Sequence, residues 1–193
     1  MASIFPLANN KLAVLSALST TSLTYTTVIN GFFMDYFGIP HVKSYLGPFP
    51  LVLDIAAARA AIPGSGAVPI ALTYSFDIGR FVAQLLQAPK WEKESVIVGD
   101  KVSWNEFLAI AEEARGVKFE VAHDSMEVLQ QGKVTELPGQ KELYPFFPKE
   151  ALQGLAAVFG VMMEKGFFDI EGKDVGFKTK TARELVEEAW KGK

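Results

Sequence analysis

Ser95-Val-Ile-Val-Gly-Asp-Lys-Val-Ser-Trp-Asn-Glu-Phe107 is the stretch that sets the fold class. Ser95 to Gly99 is a short, nearly all-apolar run between a charged segment and a Gly-Asp turn, the pattern of a strand buried on both faces in a parallel sheet. Ser103-Trp-Asn-Glu106 then reads as a capping box, in which hydroxyl and carboxylate satisfy each other's backbone amides at a helix start. The helix it opens turns Phe107, Leu108 and Ala111 inward and ends at Arg115-Gly116. Downstream, Lys118 to Ala122 alternates polar and apolar as a half-buried strand does, and Asp124-Ser-Met-Glu127 reads as a second capping box. Strand, helix, strand, helix in that order predicts an α/β protein.

Upstream, Asn10 to Leu18 places Leu12, Val14, Leu15 and Leu18 at helical spacing, and Ser19-Thr-Thr-Ser22 ends the pattern. Leu23 to Ile29 is rich in β-branched and aromatic residues and reads as a buried strand, with Asn30-Gly31 supplying positive φ where it stops. The aromatic, proline-containing run from Phe32 to Pro50 predicts an irregular wall with one helical turn. Leu51 to Ile55 and Val68 to Tyr74 read as strands, with Ala60 to Gly66 as the turn between them. Asp77 is expected to cap a helix from Ile78 to Gln87, with Phe81, Val82, Leu85 and Leu86 on its apolar face. After Thr135 to Pro148, rich in Pro, Gly and aromatics, come helices from Glu150 to Glu164 and from Thr181 through Trp190.

The 193 residues suffice for one sizeable core, so residues 1–193 are expected to form a single unit. Nineteen Lys and Arg stand against 22 Asp and Glu, scattered, and this balance excludes the footprint of a nucleic-acid binder. Zero cysteines exclude thiolate metal sites and disulfides, and cytoplasm is the expected compartment. The longest weakly polar run, Ala151 to Met163, is too short to span a bilayer, and the N-terminal stretch lacks the basic region of a signal peptide.

Elimination removes most marked chemistries. With His41 and His123 the only histidines and no HExxH or calcium-loop spacing, no metal site is expected. A GxSxG elbow and a Walker lysine are both missing. Gly64-Ser65-Gly66 opens a strand rather than a helix, which favours a turn over a phosphate loop. His123, beside Asp124 at a helix start, reads as a surface capping residue, and Asp35 and Asp54 lie on different elements with nothing fixing their separation. Lys11 is the ionisable group that stands out. Partial burial in its apolar helix would favour the neutral amine and make it a proton carrier, the alternative being a lysine that snorkels to the surface.

Three segments together resemble the NmrA-like and isoflavone-reductase-like proteins, atypical short-chain dehydrogenases. Asn10-Lys-Leu-Ala-Val-Leu-Ser-Ala-Leu18 leading into Leu23 to Phe37 is similar to the family's lysine helix and following strand. Ile62-Pro-Gly-Ser-Gly-Ala-Val-Pro69 with Thr73-Tyr-Ser-Phe-Asp-Ile-Gly-Arg-Phe-Val-Ala83 resembles its glycine turn and Asp-Ile helix. Ser95 to Phe107 and Leu143-Tyr-Pro-Phe-Phe-Pro-Lys-Glu-Ala-Leu152 resemble its fungal branch.

The resemblance implies the C-terminal part of a Rossmann-like NAD(P)-binding fold plus a smaller α+β substrate domain, with NADP(H) as cofactor and a small, often aromatic, molecule as substrate. Lys11 matches the lysine that assists proton transfer, Phe33 an aromatic that packs by the nicotinamide, and Asn30 and Gly31 fall in the turn beside it. The family's GxxGxxG, whose amides hold the pyrophosphate, is not found in this sequence, so the N-terminal nucleotide-binding half is expected to be absent and catalysis incomplete. A sheet lacking those strands would leave an edge unpaired, predicting self-association. The two functions that follow are an NADP(H)-dependent reductase and a non-catalytic ligand-sensing or protein-interaction module of the same family.

Overall fold

A computed structural model describes residues 7–193, with side chains from Asn9 onward; the first part of the leader-like N-terminal stretch lies outside the described residues. In chain order the elements are α1 (Leu7–Ser19), β1 (Thr27–Ile29), β2 (Phe32–Phe33), β3 (Leu53–Asp54), β4 (Arg59–Pro63), β5 (Pro69–Thr73), α2 (Ser75–Leu85), β6 (Glu94–Val96), β7 (Asp100–Ser103), α3 (Trp104–Arg115), β8 (Glu120–Asp124), α4 (Met126–Gln130), α5 (Lys149–Glu164) and α6 (Ala182–Trp190). Two single turns of 3-10 helix, Met34–Phe37 and Pro138–Leu143, fall in the aromatic wall and in the Pro-rich connection.

The strands form three small sheets: β1 beside β6 in parallel, β5 between β2 and an antiparallel β7, and β4 between an antiparallel β3 and a parallel β8. β6 is the parallel strand expected from Ser95 to Gly99, although its pairing ends at Val96. Ala60 to Gly66 does not behave as expected. Rather than a turn joining two hairpin strands, its first part lies in β4, whose Ala60, Ala61 and Ile62 are buried and whose Arg59 to Pro63 pair with Glu120 to Asp124. Alanine has little intrinsic strand preference, so it is the partners on both sides that make this segment a strand.

Local capping signals fare well where the acceptor is a neighbour in sequence. Ser103 accepts the Glu106 amide while the Glu106 carboxylate takes the Ser103 amide at 2.7 Å, and Gly116 ends α3 with φ 66°. Thr181 and Glu184 form the same reciprocal box at the start of α6. Two cap assignments need correction. The second box is displaced by one residue: Ser125 caps α4, and the Asp124 carboxylate instead accepts the backbone amide and hydroxyl of Thr135. Asp77 lies inside the first turn of α2 and accepts the Lys180 amide at 2.8 Å, whereas the first amide of α2, that of Ser75, is taken by Asp35.

The core runs between these layers. Phe32, Met34 and Phe37 pack with Trp104 and Phe107 of α3, Leu152 and Met163 of α5, and Leu185 and Val186 of α6. At the N-terminal end the packing is thinner. The strand expected from Leu23 is formed only from Thr27 and is half-buried, no side chain of α2 is buried, and Leu12, Val14 and Leu23 are exposed. The apolar faces expected of both helices therefore exist in sequence, with no layer among the described residues to cover them.

Candidate functional site

Asn30 and Gly31 occupy the bend between β1 and β2. Gly31 has φ +67°, and a Cβ there would sit 2.2 Å from the Ala71 carbonyl oxygen, so both conformation and close approach to β5 require glycine. The Asn30 carbonyl accepts the Thr73 hydroxyl at 2.7 Å, and its side-chain amide donates to the Gly31 carbonyl at 3.3 Å. The bend is thus fixed from β5. Just beyond it, Phe33 is partly exposed and meets the Tyr36 ring edge-on at 6.0 Å.

Tyr36 in turn lies 5.4 Å from the Phe49 ring and 5.6 Å from Phe32. Tyr36 and Phe49 line a cavity of about 360 Å³, closed by Phe37, Pro48, Leu53 and Trp190 and bearing two carboxylates, Asp54 and Glu142. The Trp190 ring is held by its Nε1 donating to the Phe37 carbonyl at 2.7 Å. Asp54, 7% exposed, accepts the Gly139 amide at 2.7 Å and the Ala57 amide at 3.1 Å, which joins the wall to the Pro-rich connection. The Tyr36 hydroxyl forms no hydrogen bond among the described residues. Burial, and then the nearby Asp35 charge, push its ionisation above the ordinary phenol value, so it is a hydrogen-bond donor at neutral pH.

The wall is anchored from behind by Asp35, which is fully buried without a cation. Its carboxylate accepts the Ser75 amide at 2.8 Å, the Ser75 hydroxyl at 2.5 Å and the Ser44 hydroxyl at 2.7 Å. Asp35 and Asp54 therefore do separate structural work, with no bond between them. Lys11 stands exposed on α1 and makes no hydrogen bond or ion pair among the described residues, which is the surface-lysine alternative; the partial burial that would favour its neutral amine is not found. His123 belongs to β8 rather than a helix start, with Nδ1 3.2 Å from the Gly64 carbonyl, and exposed His41 meets Trp190 edge-on.

Gly64-Ser65-Gly66 is a turn, as its failure to open a helix suggested. The Glu164 carboxylate accepts the Ser65 amide at 3.2 Å and hydroxyl at 3.1 Å, filling with an acid the place where an anionic ligand would have to sit. Among the described residues no helix is long and apolar enough to cross a membrane.

The architecture is a mixed α/β fold of the Rossmann-like kind that solved reductases share. With 19% sequence identity and a TM-score of 0.65, an isoflavone reductase structure aligns over 95% of this chain and 58% of its own. An NADPH complex of the quinone oxidoreductase from Escherichia coli aligns at 18% identity and a TM-score of 0.65, over 93% of this chain and 58% of its own. By sequence, the chain is 40% identical over 114 residues, 59% of its length, to oxidoreductase BOA1 of Botryotinia fuckeliana, of which that covers 38%. The chain spans less than two thirds of the curated relatives it matches, which are named oxidoreductases and are fungal. No family model matches it.

Proposed function

We propose that this chain forms the substrate side of an NADP(H)-dependent oxidoreductase acting on a small, ring-bearing molecule. The observation that carries the reading is the run of rings from Phe33 through Tyr36 to Phe49, which connects the bend beside Asn30 and Gly31 to the cavity. In this reading Asn30, Gly31 and Phe33 hold the nicotinamide end, and the cavity holds the substrate. When bound, NADPH supplies the hydride. Lys11, which is exposed, is assigned by the resemblance to donate the balancing proton as its ammonium. The composition, without cysteine, supports a reducing, cytoplasmic setting.

The residues present fit the nicotinamide end better than the phosphates. With Glu164 filling it, the glycine turn offers the pyrophosphate no cradle of amides. Each charge-assisted hydrogen bond forgone costs roughly 1.5–3 kcal/mol, so affinity for NADPH is expected near the millimolar range.

A second reading, a non-catalytic ligand-sensing or protein-interaction module, is favoured by one observation: among the described residues Lys11 is held by no hydrogen bond or ion pair. Self-association belongs to either reading. The Thr27 amide and Ile29 carbonyl face β6, which leaves the amide and carbonyl of Val28 directed to an edge that no described strand covers, and Leu12 and Leu23 are exposed.

The melting temperature of the chain across an NADPH titration tests the cofactor assignment, since a ligand selective for the native state stabilises by about 2.7 kcal/mol at a hundredfold over its Kd. A saturable rise, absent in the Phe33→Ala variant, is expected. Turnover lost in Lys11→Ala supports the reductase, and ligand binding unchanged by that substitution with no turnover in either form supports the sensing module.

A further inference from the structure

The cavity beside Tyr36 has an unbalanced charge. Its walls are rings, prolines and aliphatic side chains, and the ionisable groups among its lining residues are Asp54, Glu142 and the Tyr36 phenol, with no lysine, arginine or histidine. Asp54 is nine-tenths buried, and its two bonds come from backbone amides, so its negative charge meets no cation. Basic groups stand behind this lining, each with a partner, and the exposed His41 ring meets Trp190 edge-on at 4.7 Å. Arg115 donates to the carbonyl oxygens of Ile55 at 2.6 Å and Ala56 at 3.2 Å while lying over the Trp190 ring, and Lys141 pairs with Glu136.

We propose that the ligand of this cavity is a ring-bearing organic cation, a protonated or quaternary ring amine, in preference to a neutral or anionic ring of the same shape. Tyr36, Phe37, Phe49 and Trp190 all line the cavity, and a cation seated over the negative face of such a ring is stabilised, most strongly where water is excluded. Asp54 and Glu142 add Coulombic attraction in a partly desolvated space, where a carboxylate would be repelled. The phenol of Tyr36 donates a hydrogen bond to an oxygen substituent on the same ligand. Arg115 limits the effect to one side, because its charge lies against Ile55 and Ala56. This inference rests on the cavity being the ligand site of the proposed function.

The test is binding of three two-ring probes of one shape to the full chain, followed by calorimetry or by quenching of tryptophan fluorescence: N-methylquinolinium, 1-methylnaphthalene and 1-naphthoate. The cation is expected to bind at least about tenfold more tightly than the neutral ring, with the anion weakest, and added salt should narrow the gap. Glu142→Gln, at an exposed position where no fold contact is lost, should reduce cation affinity severalfold and leave the neutral ring unchanged. Equal affinities for the three probes, or a tighter anion, would overturn the charge preference while leaving the cavity as the binding site. Binding of none of them, in a chain shown to be folded by its cooperative melt, would overturn the site itself.

Discussion

The Asp35 carboxylate accepts the Ser75 amide at 2.8 Å and the Ser75 hydroxyl at 2.5 Å, tying the 3-10 turn of the aromatic wall to the first residue of α2 across forty positions of sequence. The residue before α2, Tyr74, makes no side-chain cap, its hydroxyl donating instead to the Lys43 carbonyl, and Asp35 serves as the cap from another element. An anion at that end is favoured by the helix dipole, which compensates in part for burying it. One contact thereby fixes both the start of α2 and the turn that carries Tyr36 to the cavity.

Replacing Asp35 should therefore cost more than an ordinary buried side chain. Asp35→Ala leaves the Ser75 amide and two hydroxyls unsatisfied, and a loss of about 3 kcal/mol or more is expected in urea unfolding. Asp35→Asn keeps acceptors for part of the set and should lose about half as much. Equal losses for the two variants would mean that charge and geometry, rather than acceptor number, set the stability.

This cap also shows what was legible in the sequence. Capping boxes at Ser103 and Thr181 were readable because both partners lie within four residues, so the helix starts were fixed by local chemistry. Asp77 looked like the equivalent signal for α2, yet the acceptor that the helix uses comes from Asp35, which no window around residue 77 contains. β4 failed for a related reason: Arg59-Ala-Ala-Ile-Pro63 carries weak strand preference beside a Gly-Ser-Gly turn, and only pairing with β3 and β8 reveals it. The aromatic wall was legible as an irregular, ring-rich segment, but the cavity it lines also needs Gly139, Glu142 and Trp190, which arrive from residues nearly a hundred or more positions away. Lys11 gained its role from the family resemblance, since the residues around it alone left a surface lysine open, and the burial that would favour its neutral amine is not found among the described residues.

Gly31 should tolerate no side chain. Gly31→Ala combines a positive φ with a Cβ 2.2 Å from a carbonyl oxygen of β5, so the bend has to move or the strand pairing has to break. A loss of about 3 kcal/mol or more is expected, together with weaker NADPH stabilisation than the loss of global stability explains. Gly47→Ala, where an added Cβ meets nothing within 4 Å, is the control and should leave both readouts unchanged.

Acid stability should carry a component from α6. The Glu184 carboxyl is lowered to about 2, first by its hydrogen bond with Lys178 and then by the Thr181 amide. Because the folded value lies below the unfolded one of 4.5, this contribution is fully present above about pH 4.5 and is lost as pH falls toward 2. The Lys178 pair is largely solvent-exposed and contributes little, so the cap should account for most of the effect, about 1 kcal/mol. Thr181→Ala and Glu184→Gln should each lower the melting temperature at pH 7, and their deficit against the wild-type chain should shrink between pH 4.5 and pH 2.

Tyr36→Phe separates the site from the fold. The ring contacts with Phe32, Phe33 and Phe49 are kept, and the hydroxyl it removes has no partner among the described residues, so stability should change by less than about 0.5 kcal/mol. If the phenol donates to a bound ligand, affinity for an oxygen-bearing ring should fall about fivefold while that for an unsubstituted ring stays constant. Since burial holds the phenol above its ordinary ionisation range, that difference should persist from neutral pH to about pH 10 and vanish only above it, where the hydroxyl no longer donates. A stability loss comparable to that of a core truncation would instead assign Tyr36 to packing, and the donor at the cavity would have to be sought elsewhere.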